Sequence, residues 1–348
     1  MWYLVQDQLY ISQLYYNFLP SWWRGNYGLS FGEKFWFDPD YRVELYRFME
    51  RTVHERFTSL RIGSPDPAPQ VIAPDFGNAT TPAAAGCEIV YPEDNYAWNK
   101  HLSNEKIDQL KLPSGLDGIF PYREITSQVK YLNHKLDKDA APWWNERGIL
   151  NDAMLIGGSD FFVELTNHTE KARILVNFSR GILNSVIRQN HCVFGHKKMI
   201  ILANCAVMMV SPTMYIQDVL ELDRQVHQLV ISFDQPFGIH HCGYFDKYGP
   251  AYRQIPKIDW LEIGWESSIR KTLDLFPEAI VQYILSAAFL QTASRNEVKE
   301  KMFQILEAAY GDWYRFRLSM PDVEYGTPDE NLYEIFDACK RSISMKHG

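Results

Sequence analysis

The run Gly238-Ile239-His240-His241-Cys242-Gly243 places imidazole and thiol within five positions at the end of a strand-like segment. In extended chain, residues two apart point to the same side, so His240 and Cys242 can offer one nitrogen and one sulfur to a single tetrahedral metal while His241 points away. Zinc is the natural ion for such mixed ligation. The next strand-like run, Ile258-Asp259-Trp260-Leu261-Glu262-Ile263-Gly264, carries a carboxylate among apolar residues. Burial of Glu262 would require a partner, and a cation is one of the few that suffices. The same residues also read as a core histidine, an inert core thiol and a carboxylate bound to a backbone amide. Asn204-Cys205, closing an earlier apolar run, offers a further amide and thiol.

These residues need strands to hold them. Apolar runs predict strands at 149–156, 199–205, 236–241, 258–264, 279–286 and 313–319, and helical periodicity predicts helices at 168–189, 212–232, 244–254, 266–275, 294–309 and 328–343. This alternation is the pattern of parallel βαβ units with right-handed crossovers. It predicts an α/β fold, a (β/α)8 TIM barrel whose C-terminal strand ends carry the site. Ser211-Pro212 and Thr327-Pro328-Asp329-Glu330 supply N-cap and first-turn chemistry for two of the helices. No GxGxxG follows a strand, so a dinucleotide-binding sheet has no support. Before residue 145 the pattern is irregular: a helix from Val5 to Phe18, a second from Tyr41 to about Leu60, and a proline-rich stretch at 63–85. The chain is read as one domain, 1–348, with an aromatic-rich helical and loop elaboration at 1–145.

Composition narrows the partners. The chain has 348 residues, 46% hydrophobic, with a net charge of −8, which suits a folded protein and disfavours a phosphate backbone as partner. Five cysteines without a CxxC pair argue against a disulfide framework and for a reducing compartment. The run Met199–Val210 is too short to span a bilayer and Met1–Asp7 lacks the features of a signal peptide, so a cytoplasmic protein with no nucleic acid and no membrane is expected. A homodimer is left open. Aromatic residues make up 14% of the chain, clustered at Trp22-Trp23, Tyr27, Phe35-Trp36-Phe37 and Trp143-Trp144, where they read as packing or as a lid. Cys87, Cys192 and Cys339 have no motif around them and are read as structural.

His240-His241-Cys242-Gly243, some thirty residues after Ser211-Pro212-Thr213-Met214-Tyr215, resembles the HxCG that follows SPxxY in the uroporphyrinogen decarboxylase superfamily. Thr327-Pro328-Asp329-Glu330-Asn331-Leu332 resembles its TPxEN, and the matches fall in family order across residues 150–348. The resemblance implies either cofactor-free decarboxylation of a tetrapyrrole or methyl transfer involving a corrinoid protein. In the methyl-transferring members, such as the methylcobamide:coenzyme M enzymes, the His and Cys of HxC bind zinc together with a late Cys. Here that late segment reads Ser319-Met320-Pro321-Asp322-Val323, without a thiol. In the related cobalamin-independent methionine synthase pattern a Glu from a later strand completes the set, and Glu262 lies one strand repeat before that position. Glu262 is therefore the first candidate for third ligand and Asp322 the second, with Cys205 as a further sulfur.

A set containing a carboxylate would be a harder Lewis acid, suited to an oxygen-bound methyl. The implied activity is a zinc-dependent methyltransferase moving methyl between a small methoxylated aromatic and the cobalt of a corrinoid partner, with His240 and Glu262 catalytic. Asn151, Asn204, Cys205, Trp36 and Tyr27 are the candidates to face the substrate, with the rings of the elaboration as a lid or a surface for the corrinoid protein. The decarboxylase is the alternative, although no RQAGRY-like segment is present, and a non-catalytic corrinoid- or tetrapyrrole-binding member is the third reading.

Overall fold

The computed structural model describes residues 2–4, 14–195 and 199–344. Val, Ile and aromatic residues in short runs form the strands, as their packing on a pleated surface favours. In chain order these are β1 Trp2–Leu4, β2 Leu14–Phe18, β3 Ile89–Val90, β4 Trp98–Asn99, β5 Ile200–Ala203, β6 Phe237–His241, β7 Trp260–Ile263, β8 Ile280–Ile284 and β9 Phe316–Val323. β3 and β4 form a small ladder of their own, and the other strands make one sheet in the order β1-β2-β9-β8-β7-β6-β5.

From β2 to β5 every pairing is parallel, with Ala203 opposite His240, His240 opposite Glu262, Glu262 opposite Gln282 and Gln282 opposite Arg317. Side chains from both ends of this parallel run, Tyr15 on β2 and Ile201 and Ala203 on β5, line one cavity. The sheet therefore curls around its inner face. Five strands of the second half fall where the apolar runs predict them, and the helices that precede, separate and follow them include Glu170–Phe194, Leu220–Ile231, Ile269–Leu275, Arg295–Ala308 and Asp329–Ser344. Ser294 caps Arg295–Ala308 through a reciprocal capping box with Glu297.

Two expectations are corrected. The run at 149–156 is not a strand but the helix Ile149–Gly157. Its Leu, Ala and Met favour a helix, Gly158 with φ 81° ends it, and a short apolar run does not by itself separate buried helix from buried strand. The segment read as a helix from Val5 to Phe18 contains β2 at Leu14–Phe18, where pairing with β9 overrides local propensity; residues 5–13 lie outside the described residues.

Together these changes limit the barrel. Six parallel strands are present among the described residues, and no described pairing joins β5 back to β1 or β2, so an eight-stranded closure is absent there. Beside β5 the chain makes one hydrogen bond, Gly148 N to Ala203 O at 2.9 Å, before it turns into the helix Ile149–Gly157.

The first half packs through rings. Trp22, Trp23, Trp36 and Trp144 are almost wholly buried, Trp22 and Trp23 meet edge to face at 4.7 Å, and Trp36 stacks on Phe76 at 5.2 Å. The helix Pro39–Arg56 starts at Asp38, whose side chain accepts from Tyr41 N. Its Arg42 is buried and donates to Ile72 O, Phe35 O and Gln128, so the irregular loops are tied to the helices by a buried cation satisfied on backbone carbonyls. No helix among the described residues is long and apolar enough to cross a membrane.

Candidate metal centre

Parallel strands bring their C-terminal ends to one edge of the sheet. At that edge Cys205 opens the short turn Cys205–Met209 just past β5, His240 lies in β6, and Cys242 follows β6. Their ligand atoms all lie within 4.8 Å of one another, the one such group of His, Cys and carboxylate side chains among the described residues. Neither Glu262 nor Asp322 is in it. Cys205, the further sulfur the sequence offered, is its third member.

Glu262 instead supports the histidine. Its Oε2 meets His240 Nδ1, and its Oε1 accepts from Gln282 Nε2 at 2.6 Å and from Ser319 Oγ at 3.1 Å. With Nδ1 engaged, Nε2 is the nitrogen left for a metal, the arrangement by which a carboxylate fixes the tautomer of a ligating histidine. Burial pulls the His240 imidazolium down, but Glu262 and Cys205 outweigh it and raise the group to about 10. Cys205 and Cys242 share a hydrogen bond that lowers the pKa of the first and raises that of the second, with burial adding to the rise at Cys242. A divalent cation bound there would favour the thiolate form of both sulfurs. Two thiols and one imidazole, backed by a carboxylate, suit a zinc ion with a fourth position left for substrate.

The remaining predicted residues divide by position. Asn151, in the first turn of Ile149–Gly157, is buried and accepts from Ala206 N at 2.7 Å, which pins the backbone beside Cys205. Asn204 is buried too, donating to Asp223 Oδ2 at 2.6 Å, with Tyr215 OH on the same oxygen at 2.7 Å. Its own N–H bonds His240 O at 2.7 Å, so Asn204 joins the loop of one sulfur to the strand of the nitrogen. His241 faces away, as expected, against Tyr252 OH at 3.1 Å, and burial lowers its pKa to about 4.

Trp36 belongs to the core around Phe76, with its Nε1 on Phe31 O, and Tyr27 packs on Trp22 and Trp23 with its hydroxyl near Arg56. Neither lines the cavity, which corrects the expectation of a lid from residues 22–37. Asp322 lies exposed near the C-terminal end of β9 and is not part of the metal-ligand group.

Inside the curl lies a cavity of about 600 Å³, walled by Tyr15, Trp143, Trp260, Glu146 and Gln282 together with His240 and Glu262. Its volume is in the range of small-molecule pockets. Gln282, Ser319, Glu146 and Tyr15 escaped the sequence reading. The available signal was a polar residue inside an apolar strand, as in Ile280-Val281-Gln282-Tyr283-Ile284 and Leu318-Ser319-Met320.

No protein-family model matches this chain, and no curated protein does. Among solved structures, a methyltransferase from Methanosarcina mazei superposes with a TM-score of 0.61 at 16% identity, covering 88% of each chain. A B12-independent methionine synthase from Shewanella sp. W3-18-1, in complex with selenomethionine, gives a TM-score of 0.44 at 12% identity over 75% of each chain. The first likeness is one of fold.

Proposed function

We propose that this chain is a zinc-dependent methyltransferase, with Cys205, His240 and Cys242 as the metal ligands and the cobalt of a corrinoid protein as one end of the methyl transfer. The observation that carries the proposal is the Cys/His/Cys group at the C-terminal ends of adjacent parallel strands, where chemistry is placed in barrels of this kind. The fold shared with the Methanosarcina methyltransferase is consistent with it.

The donor set selects the small substrate. A carboxylate-bearing set would suit activation of a methyl ether, but two sulfurs make a softer ion that favours a thiol. Zinc bound there supplies Lewis acidity that keeps such a thiol deprotonated at neutral pH. The chain's own residues do the rest. Glu262 holds the His240 ring in one tautomer, Gln282 and Ser319 hold Glu262, and Asn151 and Asn204 fix the Cys205 loop.

A corrinoid held by the partner would supply the methyl group and keep the electron pair of the bond it gives up, and a substrate sulfur held beside Cys205, His240 and Cys242 would provide the pair of the new S–C bond. Met208, Met209 and Tyr244, exposed beside Cys205 and Cys242, are an apolar rim against which a corrinoid protein would dock. A methoxylated aromatic remains the second reading of the small substrate, favoured by the Tyr15, Trp143 and Trp260 rings in the cavity wall. A tetrapyrrole decarboxylase calls for a cationic cleft, and among the described residues lining this cavity there is no lysine or arginine.

Metal analysis of the purified protein, paired with methyl transfer from methylcobalamin to a thiol, tests the proposal. One zinc per chain and transfer that Cys205→Ser and Cys242→Ser abolish are expected. A metal-free protein with unimpaired transfer would overturn it.

A further inference from the structure

We infer that Asp223 is a positioning residue of this metal centre, carried into place by a π-helical turn and acting on the Cys205 segment through Asn204. The inference rests on the metal-centred reading above and names what sets the place of one of its sulfurs.

The helical stretch from Pro212 to Ile231 is not uniform. Tyr215–Val219 is wound as a π helix, closed by Leu220 N–H on Tyr215 O, between the α-helical Pro212–Met214 and Leu220–Ile231. A turn closed from i to i+5 takes up one more residue than an α turn, and such turns recur at functional sites. In an unbroken α-helix two residues eight apart point about 80° away from each other, but with one residue absorbed they stand as residues seven apart do, within about 20°. Tyr215 and Asp223 are eight apart, and the Tyr215 hydroxyl donates to Asp223 Oδ2 at 2.7 Å. The π turn thus brings a phenol and a carboxyl to one face, and both are buried. A carboxyl costs far more to bury than an apolar side chain, so its presence behind the ligands calls for a role.

What that carboxyl holds is Asn204, whose Nδ2 donates to the same oxygen at 2.6 Å. The other side of the amide is closed by Gly148, where an added methyl group would overlap Ala203 O and Asn204 Oδ1. Asn204 N–H bonds His240 O at 2.7 Å, and the next residue is Cys205. With its side chain and main chain both fixed, Asn204 leaves the peptide that leads into Cys205 one place to lie. The buried layer continues toward the other sulfur. Burial and then the nearby Asp223 raise the pKa of Tyr252, whose ring meets Tyr215 edge to face at 5.2 Å. The Tyr252 hydroxyl meets Nδ1 of His241, the residue between His240 and Cys242, at 3.1 Å.

The test uses the full chain loaded with Co2+, whose d–d and sulfur-to-cobalt bands report ligand geometry, together with zinc affinity from chelator competition. Asp223→Ala removes the acceptor of both bonds and should move the bands and weaken zinc about tenfold, as loss of residues that orient metal ligands does. Asp223→Asn keeps an oxygen for both donors and should bring bands and affinity back close to wild type. Trp36→Ala, which lowers stability from the ring-packed first half, should leave both unchanged and so separates position from general destabilisation. Tyr215→Phe keeps the ring against Tyr252 but removes one donor, and should shift the bands in the same direction by a smaller step; it carries the test if Asp223→Ala does not fold. Bands and zinc affinity unchanged in Asp223→Ala, or in Tyr215→Phe where the former does not fold, would overturn the inference and leave the metal-centred reading standing. So would an Asp223→Asn protein as impaired as Asp223→Ala. A wild-type chain that gives no sulfur-to-cobalt band would overturn both.

Discussion

The two halves of the molecule use their unusual residues in opposite ways. In the second half, rare polar residues sit inside apolar strands and converge: His240, Glu262 and Gln282 are register neighbours on β6, β7 and β8, and Ser319 on β9 reaches the same carboxylate. In the first half, abundant aromatic residues sit among short helices and loops and pack on one another, with Trp22, Trp23 and Trp36 hidden from solvent. A repeated strand brings distant residues to one edge by register alone. A segment with few strands has no such device, and large rings supply its core instead.

Loss of both sulfurs should separate the halves most sharply. The double variant Cys205→Ser, Cys242→Ser should bind no stoichiometric zinc by metal analysis, yet keep its folded circular dichroism, because neither side chain belongs to the buried core. Trp36→Ala should do the reverse. Removing a ring that is 1% exposed and stacked on Phe76 costs about 3–5 kcal/mol in a denaturant titration, with zinc stoichiometry of the folded fraction unchanged. If Trp36→Ala abolished metal binding while the protein stayed folded, the division between the halves would fail.

Asp152 gives a pH-dependent test at the seam. It is fully buried, one oxygen lacks a hydrogen-bond partner, and burial raises its pKa to about 7 against the opposing charge of Arg147. The unfolded chain releases this proton near pH 4 and the folded chain near pH 7. Stability is therefore lost as pH rises through that window and stays lost above it, by up to about 4 kcal/mol. Asp152→Asn should flatten that part of the profile and raise stability at pH 7. Asp223, raised by burial to about 6, acts with the same sign, so the readout is the difference between wild type and variant. Glu262→Gln should follow in size, weakening zinc about 10- to 100-fold in a chelator competition by releasing His240 from its carboxylate.

The candidate site was legible where period and position agree. The spacing of His240 and Cys242 on a strand end placed both beside one point, and the β5 to β9 strands followed from apolar runs. The third member of the group, Cys205, carries no local motif. Its position depends on the turn after β5, which is fixed by contacts from residues far away in the chain. Glu262 was found as a residue but not as a role, because one register step decides whether a carboxylate meets a metal or the histidine beside it. The helix Ile149–Gly157 was misread because its apolar content suits burial in either conformation, and β2 because its partner lies some three hundred residues later.

That misread helix is also where the first half acts on the site, and Asn151 provides the smallest and most selective test of the comparison. Its Oδ1 accepts from Ala206 N, one residue beyond Cys205, in surroundings closed to water. Asn151→Ala would leave that amide without its partner, a cost of about 1–3 kcal/mol. Some of this should appear as lower stability and some as motion of the Cys205 turn, so that zinc affinity falls several-fold while stoichiometry at saturating metal stays at one. Asn151→Asp keeps an acceptor in place and should restore most of both. If Asn151→Ala lowered stability but left zinc affinity unchanged, the turn would be held by β5 and Asn204 alone. The first half would then be a packing partner of the sheet with no influence on its chemistry.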